Sequence, residues 1–374
     1  MRIGFDAKRA FFNKSGLGSY SRNLIQGLAK KYPDNEYVLY TPGINTDLFD
    51  PTGECFSIKL PKRFYHRIFS SYWKSFYVSK QLPHDRIEIF HGLSHEIPYN
   101  FPARQVKSVV TIHDLIFLRL PHLYRSIDRA IYKRKFSYSC HTSDRIIAVS
   151  QQTANDVEEF FKIEPGKIDV VYQGCNPMFN IEVPLIEKEI LRMKYLLPKY
   201  FILYVGTIEE RKNLLTLIKA LYYGKIDLPL VVIGKPTAYL NKIIEFIERH
   251  SLINIIFCDI VQNIDLPGIY QLADLFVYPS IFEGFGIPIL EALYSKVPVI
   301  TSKGSSLAEA GGHYTLYVDP NNVEEMAAAI KKVLTDRDLQ EKMKMEGYRH
   351  ARGFDEDKVS ANIIQVYKKV LTHG

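Results

Sequence analysis

The chain has 374 residues, of which 47% are hydrophobic and 24% are charged, and its formal net charge is +7. One hydrophobic core rarely serves a chain of this length, so we expect two globular domains rather than one domain or a disordered chain. No run approaches about eighteen consecutive apolar residues, which excludes a transmembrane helix, and Asp6 interrupts the first apolar run, which argues against a signal peptide.

Short runs rich in β-branched residues alternate with amphipathic helical stretches, a pattern typical of parallel α/β layers. Strands are predicted at 2–6, 36–41, 56–60, 87–91, 108–112, 145–149, 168–172, 201–205, 230–234, 253–257, 275–278, 297–300 and 315–318. A proline-rich, charged segment at 176–200 marks the domain boundary. The predicted fold is therefore α/β, with two doubly wound parallel-sheet, Rossmann-like domains at 1–178 and 179–355, whose ligands bind where the strands' carboxyl ends face a cleft.

The loop after the first strand reads KSGLGSYS at 14–21, with Gly16 and Gly18 just before a helix predicted to begin at Ser19. As a G-x-G-x-x-G dinucleotide fingerprint it fails, because Ser21 occupies the third glycine position. The glycines still predict a close approach of the backbone to a phosphate or a sugar.

Two histidines end predicted strands in the first half. The run SVVTIHD at 108–114 ends in His113 and Asp114, and IFHG places His91 at the end of another strand. An imidazole beside a carboxylate at a strand end indicates a catalytic or binding role, although a lone histidine there is more often structural. The sequence does not decide between His113 and His91.

In the second half, GTIEERKN at 206–213 directly follows a predicted strand. Arg211 and Lys212 could neutralise a diphosphate leaving group, or they could simply be solvated cations in a charged turn. Asp355 and Asp357 form a D-x-D string at the start of the last predicted helix, and N-capping of that helix explains it better than metal binding does, so we expect no essential metal. The four scattered cysteines form no C-x-x-C pair, so we expect a cytoplasmic protein without a disulfide framework or a zinc site.

The motif EGFGIPILE at 283–291 follows a predicted strand and opens a helix. Gly284 and Gly286 let the backbone approach a ligand, and the N–H groups around Phe285 and Ile287 predict an anion site for a diphosphate. We expect Glu291, in the first helical turn, to accept hydrogen bonds from ribose hydroxyls, and Glu283 to face the sugar. The alternative is that Glu291 only complements the helix dipole.

Taken together, these motifs resemble glycosyltransferase family 4, the group 1 enzymes of GT-B architecture. The resemblance runs through most of the chain, in FDAKRAFFNKSGLGSYSRNLIQGLA, TIHDL, IIAVSQQTANDV, YVGTIEERKNL, LADLFVYPSIFEGFGIPILEAL, PVITSKGSSLAEAGG and LYVDP. It implies a retaining, metal-independent hexosyltransferase without a protein nucleophile, an acceptor-binding first domain, a donor-binding second domain, and a terminal helix at 356–374 that crosses back to the first domain.

The resemblance also assigns roles to single residues. It implies that Glu283 and Glu291 belong to the donor-binding Glu-x7-Glu element and that Arg211 and Lys212 bind the diphosphate. His113 is implied to contact the donor hexose, and the backbone near Val261 to bind the base. The chain departs from the family pattern at Ala308, at 311–313 and at the start of the last helix, which puts the shape of the loop around Glu309 in doubt.

Other functions remain open at this stage. A nucleotide-sugar epimerase or a pyridoxal-phosphate-dependent phosphorylase would share the architecture, and a non-catalytic nucleotide-sugar-binding protein would keep the Glu291 pocket. The broken glycine fingerprint disfavours a nicotinamide dehydrogenase. The segment YVGTIEERKN is similar to the corresponding segments of mannosyltransferases, which favours GDP-mannose as the donor.

Charge is distributed unevenly between the two halves. Residues 1–178 carry 25 Lys and Arg against 17 Asp and Glu, whereas the remaining residues carry 23 against 24. The excess mixes with aromatic residues in 59–80 and 119–138, which predicts peripheral contact with an anionic membrane and a lipid-linked acceptor. Together with the resemblance, we expect a glycan or lipid-linked acceptor in cell-surface polysaccharide synthesis. The alternative is a solvated basic face, and no motif accompanies the charge that would indicate nucleic acid.

Overall fold

The computed structural model of the chain describes residues 1–102, 105–258 and 260–372, without the side chains of Tyr65 and Arg67. The chain forms two compact units. Unit 1 comprises Met1–Gln173 and Glu356–Gly374, and unit 2 comprises Gly174–Asp355. The first boundary lies a few residues before the predicted one at 178. The last two residues of the predicted terminal segment lie outside the described part of the chain.

Unit 1 is built on a seven-stranded sheet in the order β3-β2-β1-β4-β5-β6-β7, and every ladder in it is parallel. The strands are β1 Arg2–Asp6, β2 Glu36–Tyr40, β3 Phe56–Lys59, β4 Ile89–Gly92, β5 Lys107–Ile112, β6 Arg145–Ala148 and β7 Ile168–Val170. The central strands are buried along nearly their whole length, because helices cover both faces of a parallel sheet. All seven predicted strands of this half are confirmed, with ends shifted by one or two residues.

Helices and helical turns connect these strands. The helices are α1 Lys8–Phe12, α2 Gly16–Lys31, α3 Phe64–Ile68, α4 Ser70–Tyr72, α5 Val78–His84, α6 Ile116–Arg119, α7 Ser126–Thr142 and α8 Gln151–Phe161. A π-helical turn, Trp73–Tyr77, joins α4 to α5, and 3-10 turns lie at Pro121–Leu123 and Pro165–Lys167.

The glycine loop of unit 1 differs from the prediction. Helix α2 begins at Gly16 rather than Ser19, so both glycines lie in its first turn. A Cβ at Gly18 would lie 1.8 Å from the carbonyl oxygen of Asn13, whereas a Cβ at Gly16 would meet nothing within 4 Å. Close packing of the preceding loop therefore requires glycine at 18, while Gly16 leaves open space beside the helix start.

Unit 2 is built on a six-stranded parallel sheet in the order β10-β9-β8-β11-β12-β13. Its strands are β8 Ile202–Val205, β9 Leu230–Ile233, β10 Ile255–Cys258, β11 Leu275–Tyr278, β12 Val299–Ser302 and β13 Leu316–Val318. Its helices are α9 Leu185–Lys194, α10 Leu214–Tyr223, α11 Leu240–Arg249, α12 Leu266–Leu272, α13 Ile287–Tyr294, α14 Leu307–Gly311, α15 Val323–Thr335 and α16 Arg337–Ala351. Four 3-10 turns lie at Pro177–Asn180, Glu210–Lys212, Asn263–Asp265 and Arg352–Phe354. The six predicted strands are confirmed.

The last helix, α17 Glu356–Thr372, belongs to unit 1, where it packs against α2. Ile363 and Tyr367 on its inner face are fully buried in the same hydrophobic cluster as Leu24 and Leu28 of α2. The end of the chain therefore completes the core of the unit in which the chain begins.

The strand orders fix where ligands would bind each sheet. In unit 1 the direction of winding reverses between β1 and β4, and in unit 2 it reverses between β8 and β11. At such a reversal the two following loops diverge and leave a crevice at the carboxyl ends of the strands. In unit 2 these loops are GTIEERKN, after β8, and EGFGIPILE, close after β11, so the topology brings the two predicted motifs together.

Candidate functional site

The carboxylate of Glu283 in unit 2 lies between the two predicted phosphate-binding cations. Its Oε1 is 2.8 Å from Nη1 of Arg211 and 2.5 Å from Nζ of Lys212. The same oxygen accepts hydrogen bonds from Tyr278 at 3.0 Å and Ser280 at 2.5 Å, and Lys212 also donates to the Tyr278 hydroxyl. We call these five residues the Glu283 cluster. Glu283 itself is only 8% exposed.

Backbone contacts fasten the two loops that carry the cluster. The N–H of Ile281 donates to the carbonyl of Arg211 at 2.8 Å, and Nη1 of Arg211 donates to the carbonyl of Phe282 at 2.6 Å. Asn213, in the left-handed conformation with φ 58°, caps the first loop and donates to the carbonyl of Pro279 at 3.2 Å. The cluster is therefore held in place by main-chain as well as side-chain interactions.

The charges of the cluster reinforce one another. Burial alone would raise the pKa of Glu283, but Lys212 and Arg211 outweigh that effect and hold the pKa at about 2. Burial lowers the pKa of Lys212, an effect that Glu283 opposes, whereas for Arg211 the effect of Glu283 prevails over burial and raises the pKa. Arg211 also pairs with the more exposed Glu209 at 2.6 Å. Glu283 is thus an ionised anchor for two cations, and it is not a proton donor at neutral pH.

The backbone between Glu283 and helix α13 is also fixed. Gly286 adopts φ 121°, a conformation that favours glycine, and it directly precedes the helix. The hydroxyl of Ser306 donates to the carbonyls of Glu283 at 2.9 Å and Phe285 at 3.0 Å. Pro288 has no N–H, and the N–H of Ile289 donates to the carbonyl of Gly286 at 3.0 Å. The start of α13 therefore offers the N–H of Ile287, its first residue, to an anion beside the Glu283 cluster.

Glu291 does not lie where the sequence suggested. Helix α13 begins at Ile287, so Glu291 is its fifth residue and lies beyond the first turn. Complementing the helix dipole, which acts within the first turn, therefore does not explain it. Burial raises the pKa of this carboxyl to about 7, although a hydrogen bond from Tyr270 at 2.9 Å opposes the rise.

The remaining predicted positions of unit 2 lie after β10 and in and just after α14. Val261 follows β10, the edge strand of the sheet, which is separated from β8 by β9. The departures from the family pattern at Ala308 and Gly312 lie in and just after α14. Gly312 ends this short helix with φ 67° and ψ −166°, a backbone conformation that favours glycine.

In unit 1, both ring nitrogens of the buried His113 are engaged. Nε2 donates to the carbonyl of Leu93 at 2.9 Å, and Nδ1 accepts from the amide of Gln173 at 2.9 Å. Burial and the neighbouring His95 lower the pKa of His113 to about 3. The imidazole is therefore neutral, and it is not poised to take up a proton at neutral pH. Asp114, beside it, accepts from the N–H of Ile116 at 3.1 Å.

The structure separates His91 from His113. His91 is fully buried, with Nδ1 2.7 Å from the hydroxyl of Tyr367 and Nε2 2.7 Å from the hydroxyl of Thr111. Thr111 in turn lies 3.2 Å from the hydroxyl of Tyr20. His91 therefore ties α17 to the core of unit 1 and has a structural role.

Sequence reasoning missed several partners of the predicted residues. Tyr278 ends β11 and Ser280 follows it, just before the EGFGIPILE motif, so their position at a strand's carboxyl end was an available signal. Tyr270, on α12, and Ser306, before α14, are distant in sequence from the groups that they bind, and no local pattern marks them.

Within 1–102, 105–258 and 260–372, no group of three or more His, Cys, Asp or Glu residues is arranged to hold a metal ion. Over the same residues, no helix has both the length and the apolar character needed to cross a membrane.

Two family models match the chain and together span most of it. The model for Glycosyltransferase Family 4 matches residues 14–179, and the model for Glycosyl transferases group 1 matches residues 187–350. Each match covers the greater part of one structural unit and includes that unit's candidate residues.

Similar proteins include O-antigen chain mannosyltransferase B of Escherichia coli, which is 30% identical over 286 residues, covering 75% of this chain and 74% of the relative. The serotype-specific mannosyltransferase WbdA of Escherichia coli is 29% identical over 76% of this chain, but this match spans only 36% of WbdA. Among solved structures, Anabaena HepE in complex with UDP-glucose has a TM-score of 0.77 at 16% identity and covers 99% of this chain and 100% of its own, which shows a shared fold.

The buried ion pairs of Glu283 lead to a stability prediction. Glu283→Gln leaves Lys212 and Arg211 without their buried counter-ion, so the free energy of unfolding at neutral pH should fall by about 3–5 kcal/mol. Because the pKa of Glu283 is depressed, its stabilising effect should be present above the ordinary carboxyl pKa of about 4.5 and be lost as the pH falls towards about 2. Urea denaturation followed by circular dichroism measures both effects.

The matched control is Glu245→Gln, which breaks the exposed pair with Arg249 and should cost at most about 1 kcal/mol. Equal losses in the two variants, or an unchanged acid profile in Glu283→Gln, would contradict the interpretation of Glu283 as an anchor.

Proposed function

Because the chain belongs to the group 1 glycosyl transferases, glycosyltransferase family 4, we propose that it moves a hexose from a nucleotide-diphosphate sugar to a glycan or lipid-linked acceptor, with retention of configuration and without an essential metal. The enzyme is a hexosyltransferase of GT-B architecture with mannosyltransferase relatives in O-antigen synthesis. Those relatives support GDP-mannose as the donor and cell-surface polysaccharide synthesis as the process.

The Glu283 cluster is the observation that carries the proposal. It presents Arg211 and Lys212 at the switch point of the unit 2 sheet, beside the N–H of Ile287 at the start of α13. A diphosphate bound there would meet two fixed cations and a helix N-terminus, both of which stabilise the charge that develops on a leaving phosphate. No bound metal is needed for that task, so we propose metal-independent transfer without a cofactor.

The state of the ionisable groups supports a reaction without a protein nucleophile. Glu283 is ionised and held by four donors, and His113 is neutral with both nitrogens engaged. Neither group is poised to attack the sugar or to accept a proton. The acceptor oxygen would therefore bond to the anomeric carbon as the bond to the phosphate oxygen breaks, and that phosphate oxygen would take the acceptor's proton on the same face.

Glu291 and the loop after β10 complete the proposed donor site. The Glu291 carboxylate would accept hydrogen bonds from the ribose hydroxyls, and the backbone near Val261 would contact the base. In unit 1, we propose that His113 and Asp114 contact the sugar and that the open space beside Gly16 lets a sugar or phosphate approach the backbone. Gly18 lets the preceding loop pack closely against the helix.

The acceptor side of the proposal rests on a surface of unit 1. Its apolar side chains are each at least 39% exposed and lie on two segments: Phe64, Ile68, Phe69, Tyr72, Phe76, Ile127 and Ile131. We call this set the docking surface. Tyr99 links the segments, since its ring lies 5.3 Å from that of Phe76 and 4.6 Å from that of Tyr138 on α7.

Basic residues surround the docking surface. Lys62 and Arg63 precede its first segment, and Lys133 and Arg134 follow its second on α7; all four are exposed. Exposed aromatic and aliphatic side chains framed by cations suit the interface of an anionic membrane. We therefore propose peripheral contact with such a membrane, where a lipid-linked acceptor would be presented, and no role for nucleic acid.

The direct test is a transfer assay with a panel of nucleotide sugars and polyprenol-linked oligosaccharides, with and without EDTA, in which NMR identifies the anomer of the product. Transfer from GDP-mannose should survive chelation and retain configuration. Arg211→Ala and Lys212→Ala should each lower kcat/KM by about ten- to a hundredfold, since each removes a hydrogen bond to a charged group.

Arg249→Ala and Lys242→Ala serve as matched controls, because both side chains are well exposed on unit 2. Wild-type activity in both cluster variants would overturn the diphosphate role. Restoration of EDTA-treated enzyme by manganese or magnesium would overturn metal independence, and conversion of the donor without any acceptor would favour an epimerase.

The raised pKa of Glu291 makes donor binding pH-dependent. If the ribose hydroxyls bind the ionised carboxylate, affinity should be constant well above the pKa of about 7 and should weaken by about tenfold near pH 6. Isothermal titration with intact GDP-mannose measures this, because the terminal phosphate of GDP itself titrates in the same range. Glu291→Gln should bind weakly with a flat pH profile, whereas the exposed control Glu187→Gln should behave as wild type.

Membrane contact is tested by co-sedimentation with liposomes. Binding should require anionic lipid and weaken with salt, and neutralising Lys62, Arg63, Lys133 and Arg134 together should lower it by roughly a hundredfold or more, since each contributes about 1 kcal/mol. Lys135, included in the basic segment predicted from sequence, is left intact because it pairs with Glu96. Phe64→Ser with Phe69→Ser should also weaken binding, while Ile253→Ser, at a 96% exposed site on unit 2, should not. A protein that ignores anionic liposomes at low salt would refute the membrane proposal.

A further inference from the structure

Helix α9 of unit 2 carries an apolar stripe on its exposed side. Ile186, Ile190 and Met193 have the spacing i, i+4 and i+7, which places them on one side of the helix. Leu185 precedes the stripe at the start of the helix, and Leu196 follows it two residues after the helix ends. We call these five residues, each at least 51% exposed, the α9 face.

The other side of α9 is packed firmly on α12. Leu191 is buried there, and a Cβ at Gly268 of α12 would lie only 2.3 Å from its Cδ1. Gln271 of α12 donates to the carbonyl of Ile181 at 2.8 Å and accepts from the N–H of Val183 at 3.0 Å, just before α9 begins. These contacts fix the orientation of the helix, so the α9 face stays exposed in a single copy of the chain.

The α9 face has the size of an interaction surface. Five aliphatic side chains that are more than half exposed present an area on the order of several hundred Å², and apolar patches of that size mark interaction sites. A specific protein interface buries roughly 800 Å² on each partner, with an apolar centre and a polar rim. The α9 face would supply the centre of such an interface, and the charged residues around it would supply the rim.

The charges beside the α9 face suit a second copy of the same helix. Glu187 and Lys194 are both exposed and lie seven positions apart, so they share one flank of the stripe towards opposite ends of the helix. If two α9 helices run antiparallel about a two-fold axis at Ile190, Glu187 of each copy lies opposite Lys194 of the other. Lys194 also pairs with Asp265 at 2.7 Å, but its ammonium has three donors and can bind both carboxylates. The surface is therefore complementary to itself in charge.

A lipid surface fits the α9 face less well than a second copy does. Segment 181–200 contains three glutamates against four lysines and arginines, so it has almost no net charge with which to bind anionic lipid. Glu182, Glu187 and Glu189 are exposed beside the apolar side chains, whereas cations frame the docking surface of unit 1. The same near-neutrality allows two copies of the segment to approach without repulsion.

We propose that the α9 face joins two copies of this chain in a two-fold dimer, with the two α9 helices antiparallel and Ile190 of each copy at the axis. Apolar side chains fill the centre of the contact, and two equivalent pairs of Glu187 with Lys194 lie at its edges. The dimer does not depend on the proposed transferase function, since the α9 face shares no residue with the Glu283 cluster or with the docking surface.

Analytical ultracentrifugation of the full-length protein measures the dimer. The wild type should sediment as a dimer that dissociates on dilution. Ile190→Glu would bring two carboxylates together at the axis, so it should raise the Kd of the dimer by at least about a hundredfold. Ile253→Glu is the matched control, because Ile253 is 96% exposed in the loop before β10, and this variant should leave the Kd unchanged.

Cysteine cross-linking tests the antiparallel arrangement. Ile190→Cys should form a disulfide-linked dimer under mild oxidation, since residue 190 meets its counterpart at the axis within the range that a disulfide spans. Leu185→Cys lies five residues from the axis, so its two copies would be about 15 Å apart along the helices and should not cross-link. The wild type, with its four native cysteines, gives the background on a non-reducing gel. Because Ile190→Cys is a small change at a half-exposed site, its result stands even if Ile190→Glu impairs folding.

Several results would overturn the dimer. They are a wild-type protein that stays monomeric at every concentration, a dimer that Ile190→Glu leaves intact, and equal cross-linking at positions 185 and 190. A monomeric wild type whose liposome binding is lost in Ile190→Glu would show that lipid covers the α9 face, and it would overturn the dimer as well. The transfer assay measures sugar transfer separately, so failure of the dimer and failure of the transferase proposal are distinguishable.

Discussion

The contact of Glu283 with Arg211 and Lys212 is the interaction on which the candidate site depends. Two cations in adjacent positions of a loop would repel each other and point into solvent. The buried carboxylate holds both, at 2.8 Å and 2.5 Å, and binds the loop after β8 to the loop after β11. The ion pairs that hold the two cations in place thus also fix the geometry of the two loops.

The two units differ in the ionisable groups that lie at the carboxyl ends of their sheets. At the carboxyl ends of its sheet, unit 2 concentrates charges that stay ionised, because each has a partner within hydrogen-bond distance. Besides the ion pairs of Lys74 with Asp6 and Glu96, unit 1 places neutral imidazoles there, since burial lowers the pKa values of His91, His95 and His113 to about 3. Fixed charges suit a diphosphate, and neutral polar groups suit the uncharged hydroxyls of sugars.

Much of the fold follows from local sequence. The thirteen strands were predicted within one or two residues, because runs of buried β-branched residues in a parallel sheet have few alternatives. The beginning of α2 was misplaced, since glycine is a poor helix former and only its packing against Asn13 puts Gly18 in the first turn. The first-turn position expected for Glu291 was also wrong, because helix α13 begins at Ile287, one residue before the proline taken as its start, and Glu291 then falls in the second turn.

The sequence by itself determined the parallel α/β architecture, the motifs that carry the candidate residues, and the charge difference between the two halves. These features depend only on short segments and on composition, so the periodicity of apolar residues and the residue types are enough to predict them. Only the tertiary structure decided that Glu283 is the counter-ion of Arg211 and Lys212, that His91 is structural, and that Lys74 pairs with Asp6 and Glu96. Those pairings join residues tens to hundreds of positions apart, and strand order and packing, rather than any local pattern, bring their side chains within hydrogen-bond distance.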